Sequence, residues 1–213
     1  MRATIPPMDV EAILTLILHA NRLKRMPRTG WVIRGLTGAE SVADHIFGTA
    51  FIALVLAELV AEPVDRGKLL AMILLHDLPE SLTTDLPQPV VRFFPPDAKP
   101  QAELNALMEL LQGVEFGERF RAWWQAAKDE ESIEARILRD ADRLELLVQA
   151  YVYGRMMSGT VLDEFWEGQE ERPFKLEVSQ RLFAALLERR RQEQRGRRKG
   201  RRPTRGGPSS TGR

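Results

Sequence analysis

The chain has no cysteine, only two tyrosines and an aromatic content of 7 %. Without thiols it has neither disulfides nor thiolate metal sites, which suits a reducing compartment. Runs of β-branched residues are few, and the alternation of Val, Ile, Thr and aromatic side chains that marks strands is missing. An all-α fold is expected. The nearest approach to a targeting segment, VEAILTLILHANRL, is interrupted by Glu11, its apolar part is short, and no small-residue cleavage site follows it. It reads as the first core helix of a cytoplasmic protein with no membrane association.

What is present is enough for one sizeable core in 213 residues. The net charge of +1 is unevenly spread: residues 189–213 hold eleven basic residues and one acidic residue, Glu193, which leaves +10 there and −9 on residues 1–188. The expected division is therefore a folded domain over 1–188 and a basic tail over 189–213. With almost no apolar residues to bury, the tail is expected to be disordered beyond the helix that leads into it. Its composition suits nucleic-acid binding, and equally a plain solubilising extension.

Helical periodicity runs through Val10–Leu23, Val42–Val60, Lys68–Leu78, Gln101–Leu111, Phe120–Lys128, Ile133–Met157 and Lys175–Gln192. Breaks fall at PRTGW with GLTGAE, at EPVDRG, at DLPQPVVRFFPPDAKP and at GTVLDEFWEGQEERP. This is the pattern of a helical bundle, whose sites form between facing helices. In RAWWQAAK at least one of Trp123 and Trp124 is expected in the core.

The stretch LLHDLPESLTTDLP runs apolar residues straight into His76, Asp77, Glu80 and Asp85. Polar groups at the end of a buried helix are costly unless paired or bound to a metal. His76 and Asp77 can present an imidazole and a carboxylate to one ion, and His45, on an otherwise apolar helix, is a third candidate ligand. A fourth is Asp142, in EARILRDADRLELLVQA. Asp140 points to a nearly opposite face at two-residue spacing, so one of the pair is free to be solvated. Leu138 and Leu146, a turn to either side, favour Asp142 as the inward one.

The order H, then HD, then D at these separations resembles the HD superfamily of metal-dependent phosphohydrolases. LKRMPRTGWV with GAESVADH, LLHDLPESLTTDLP and SIEARILRDADRLELLVQA are similar to its 5'-deoxynucleotidase and HD domain-containing protein 2 branch, over about Leu14 to Tyr153. The resemblance implies a single HD-domain bundle whose metal ligands are His45, His76, Asp77 and Asp142. Glu80 matches the acidic residue of the HDxxE segment and Asp85 the aspartate of the GD segment, both lining the substrate cavity. Glu40 matches the glutamate of the PES segment, with Ala39 in place of proline. Trp31 matches a tryptophan at the substrate's sugar and base, or is a core plug. Arg28 is the phosphate partner, although in the bacterial enzyme that arginine directly precedes the tryptophan, where this chain has Gly30. Homodimerisation is implied as well.

Such a nitrogen and oxygen site suits Mn²⁺, Co²⁺, Fe²⁺ or Ni²⁺ better than a closed structural zinc site, with Zn²⁺ and Mg²⁺ also admissible. The expected reaction is release of phosphate from nucleoside 5'-monophosphates, with deoxynucleotides preferred. A water activated by the metal attacks phosphorus, Glu80 orients that water or takes its proton, Asp77 assists, and Arg28 with Lys24 or Arg34 holds the phosphate oxygens. The alternatives are another nucleotide substrate, a pyrophosphate or cyclic diester, or a non-catalytic protein that binds nucleic acid through its tail. Two local departures bear on geometry. Pro79 must end or kink the helix carrying His76, and Thr84 replaces the glycine before Asp85, where a positive φ would strain it.

Overall fold

Helix starts are encoded as caps. Asp9 accepts from the Ala12 amide, Ser41 from Asp44, Asp65 from Lys68 and Ser132 from Ala135, each worth about 1 kcal/mol. Ser41 and Asp44 complete a reciprocal capping box. The computed structural model describes residues 8–157 and 161–200. Its helices are α1 (Val10–Arg22), α2 (Thr29–Val32), α3 (Val42–Leu59), α4 (Arg66–His76), α5 (Glu80–Thr83), α6 (Gln88–Val91), α7 (Ala98–Leu110), α8 (Gly117–Asp129), α9 (Ile133–Met156) and α10 (Glu177–Gly200). Among the described residues there is no strand, only an isolated bridge between Pro27 and Ser41. Every long periodic segment is a helix, and two expected breaks hold the short helices α2 and α6.

The centre is α3, which packs along α9 and against α4, while α8 covers α4 and α9, and α10 lies over α9 and α3. By length and composition α3 would pass for a membrane span. Its inner face argues otherwise, because Val42, His45, Thr49, Ala53 and Leu56 are fully buried in the bundle. Trp124 is the core ring of its pair, and its indole N–H donates to the His76 carbonyl at 3.2 Å.

Helix α4 stops at His76, as Pro79 requires. Asp77 caps it at φ −106°, ψ 8°, and Pro79 opens the next short helix, so that Glu80 follows a tight turn. Thr84, after α5, takes φ 64°, ψ 164°.

The division after residue 188 is corrected in part, since it falls inside α10. Residues 189–200 continue the helix because the body supplies partners for their side chains. Arg190 pairs with Asp163, Arg191 binds Glu170 at 2.9 Å, and Arg197 donates to the carbonyls of Gly154 and Arg155 at 3.1 and 3.2 Å. Tyr151 donates its hydroxyl proton to Glu193. The tail beyond Gly200 lies outside the described residues.

Candidate metal centre and active site

His45 projects inward from the first turns of α3, His76 and Asp77 lie at the end of α4, and Asp142 comes from the middle of α9. Ligand atoms of His45, His76 and Asp142 all lie within 4.8 Å of one another. His45 Nε2 is 3.0 Å from Asp142 Oδ1 and 3.7 Å from Asp77 Oδ2, and His76 Nε2 is 3.2 Å from the same Asp77 oxygen. The three helices thus bring the four expected ligands together.

The donor set fits a divalent metal on geometric grounds. His45 Nδ1 is 2.5 Å from Glu145 Oε2 and His76 Nδ1 is 2.6 Å from the Ile73 carbonyl. Both partners are acceptors, so each Nδ1 carries a proton, and it is Nε2 of each ring that would offer its lone pair to an ion. Both Nε2 atoms and Asp77 Oδ2 are buried without a hydrogen bond. Such atoms cost free energy unless something coordinates them.

The electrostatics agree. Burial and Arg28 oppose protonation of His45, but Asp142 and Glu145 outweigh them and raise its pKa to about 10. His76 is also raised, burial being overcome chiefly by Asp77. Asp77 and Asp142 are lowered despite burial, Asp77 by His76, His45 and Arg28, and Asp142 by His45 and His76. The cluster favours positive charge at its centre, which a divalent cation supplies more fully than two protons.

The pair Asp140 and Asp142 departs from the expectation that one of the two is solvated. Asp142 does reach the cluster, with its side chain 46 % exposed. Asp140 is not in solvent: it is 2 % exposed and accepts from the Lys175 and Leu176 amides at 2.9 and 2.8 Å. Its face of α9 is covered by the chain leading into α10, a contact invisible to helical periodicity.

Arg28 stands beside Asp77, with a 3.6 Å ion pair, and its backbone N–H donates to the Glu40 carbonyl at 2.9 Å. Its pKa is raised: burial opposes, and Asp77, Asp85, Asp142 and Glu80 prevail. Arg34 points elsewhere, paired with Glu164, bound to the Gly30 carbonyl and laid over the Phe165 ring at 4.5 Å. Lys24 is exposed.

Glu80 is 3 % exposed, its Oε2 has no hydrogen bond, and burial, then Asp77 and Asp85, push its pKa up to about 9. Trp31 is 1 % exposed, edge-on to Tyr153 at 5.3 Å and tilted against Phe165 at 4.4 Å. Its indole N–H donates to Glu40 Oε1 at 2.8 Å, and Glu40 itself is raised to about 7 by burial and by Glu145. Asp85 Oδ2 accepts from the Thr29 amide at 2.6 Å.

Two residues escaped the sequence reading. Glu145, one turn after Asp142, was one charge among several in RDADRLELL. Lys99, near the start of α7, is a second cation felt by Glu80, and it donates to the Leu86 carbonyl at 3.4 Å. Neither carries a local signal, because the helices that bring them here are distant in sequence.

A helical bundle that gathers two imidazoles and two carboxylates defines a class, the metal-dependent hydrolases of the HD type. The chain belongs to the HD-domain family, whose profile matches residues 20–191. It is similar to the 5'-deoxynucleotidase HDDC2 of Dictyostelium discoideum, 36 % identical over 144 residues, covering 62 % of this chain and 72 % of that protein. The human 5'-deoxynucleotidase HDDC2 is 26 % identical over 153 residues, or 71 % of this chain and 72 % of that one. A crystal structure of a Pyrococcus horikoshii protein matches at a TM-score of 0.69 and 36 % identity, covering 84 % of this chain and 98 % of that chain.

Proposed function

We propose that this protein is a metal-dependent phosphomonoesterase of the cytoplasm that converts deoxyribonucleoside 5'-monophosphates to nucleoside and phosphate. The observation that carries the reading is the convergence of His45, His76, Asp77 and Asp142, with both Nε2 lone pairs turned inward. These four residues would hold the ion, and their mixture of nitrogen and oxygen donors favours Mn²⁺, Co²⁺, Fe²⁺ or Ni²⁺. When bound, such an ion polarises a phosphoryl oxygen and lowers the pKa of water.

The chain's own groups do the rest. Arg28, permanently charged and aimed into the cluster, holds and neutralises phosphoryl oxygens. Glu80, the buried carboxyl with a free oxygen, orients the attacking water or, in its ionised form, takes its proton. Asp77 assists by holding Arg28. Asp85 fixes the start of α2 and with it Arg28, while Trp31 orients Glu40, which accepts a sugar hydroxyl. A wall built so tightly leaves little room for a ribose 2'-hydroxyl, hence the preference for deoxynucleotides. With Arg28 and Lys99 as the cations felt by Glu80, the charge suits one phosphoryl group better than a triphosphate.

The test is phosphate release from a panel of 2'-deoxy and ribonucleoside 5'-monophosphates by metal-stripped protein, with Mn²⁺, Co²⁺, Mg²⁺ or Zn²⁺ restored and Asp77→Ala as control. Metal-dependent release from deoxynucleotides, lost in the control, is expected. No release with any metal would sink the reading.

A further inference from the structure

Glu145 makes one of the shortest side-chain contacts of the cluster, although no motif assigns it. It lies on α9, its Oε2 is 2.5 Å from His45 Nδ1, and the two residues are 6 % and 0 % exposed. The opposite helix is shaped to receive it. A Cβ at Gly48, on α3 three residues after His45, would stand 2.8 Å from Glu145 Cγ and 2.9 Å from Oε1. The carboxylate occupies the space that a missing side chain leaves between α3 and α9.

A buried carboxylate costs several kcal/mol unless it is paired. Here the partner is the imidazole whose far nitrogen faces Asp142 and Asp77. An acceptor on Nδ1 fixes the proton there, and a charged acceptor makes Nε2 a better electron donor.

We propose that Glu145 is a positioning residue of the metal centre: seated in the Gly48 gap, it fixes the His45 tautomer and strengthens that ring as a ligand. The inference rests on the metal reading of the cluster but needs no particular substrate.

The test is Zn²⁺ binding to the full chain by calorimetry for wild type, Glu145→Leu and Glu145→Gln. It is read beside melting temperatures in chelator and ¹⁵N spectra of the histidine rings. Glu145→Leu is expected to bind Zn²⁺ about 10- to 100-fold more weakly and to populate the Nε2-protonated tautomer of His45. Glu145→Gln keeps an oxygen for the Nδ1 proton, so it retains the tautomer and falls between the other two in affinity. A folded Glu145→Leu protein binding within threefold of wild type would overturn the proposal. Should the leucine variant not fold, Glu145→Gln binding as tightly as wild type would overturn it equally. Wild type without affinity for the ion would instead bring down the metal reading itself.

Discussion

Asp85 accepts the Thr29 amide proton at 2.6 Å and so joins the segment bearing Arg28 and Trp31 to the loop that follows Glu80. A hydrogen bond to a carboxylate of this kind contributes about 1.5–3 kcal/mol. Asp85→Ala is therefore expected to raise KM roughly tenfold or more through a loosened Arg28, with bound metal unchanged. Asp85→Asn, which keeps an acceptor, should recover part of the loss. Steady-state kinetics with metal analysis checks both.

Glu80 couples activity to stability with opposite signs. Its carboxyl holds a proton more firmly in the folded, metal-free protein, up to about 9, than at the ordinary value of 4.5. That contribution to stability is complete below about pH 4.5 and is lost as pH rises toward 9, at no more than about 1.4 kcal/mol per pH unit. Glu80→Gln should flatten this decline and melt above wild type at pH 8 in chelator. The same variant should lose roughly 10²- to 10⁴-fold in turnover with metal retained.

Thr84 occupies φ 64°, ψ 164°, a region essentially reserved for glycine. The residue is not a ligand, and its side chain is not needed by the site. Thr84→Gly should relieve strain of about 1–3 kcal/mol, offset in part by the entropy glycine loses on folding. A gain of a few degrees in melting temperature with unchanged kcat is expected.

Arg28 is expected to act on phosphate and metal in opposite senses. Arg28→Gln should raise KM for a monophosphate by at least about tenfold, the worth of a charge-assisted hydrogen bond. Because the guanidinium repels positive charge at His45, the same change should tighten Zn²⁺ binding. Calorimetry set beside kinetics separates the two effects.

The four residues that converge in the cluster were legible because they follow local rules. His76 and Asp77 are adjacent, Pro79 forces the helix to stop behind them, and Asp142 interrupts an apolar face. Glu145 was not legible, since its burial depends on Gly48 in a helix nearly a hundred residues away. The burial of Trp31 under Tyr153 and Phe165 had no local signal, and Asp140 looked like the solvated member of its pair until residues 175 and 176 covered it. The Arg-rich segment beyond Gln192 looked incapable of order because composition weighs burial and not partners. Its helix depends on Asp163, Glu170 and two backbone carbonyls elsewhere in the chain.

That last attachment has a mechanical consequence. Arg190 grips Asp163, two residues before the Phe165 ring that lies on Trp31. Trp31 holds the carboxylate proposed for the sugar. Clipping the chain after residue 188 would thus slacken a wall of the proposed pocket while leaving the four proposed ligands in place, and would show itself as lost sugar discrimination rather than lost metal.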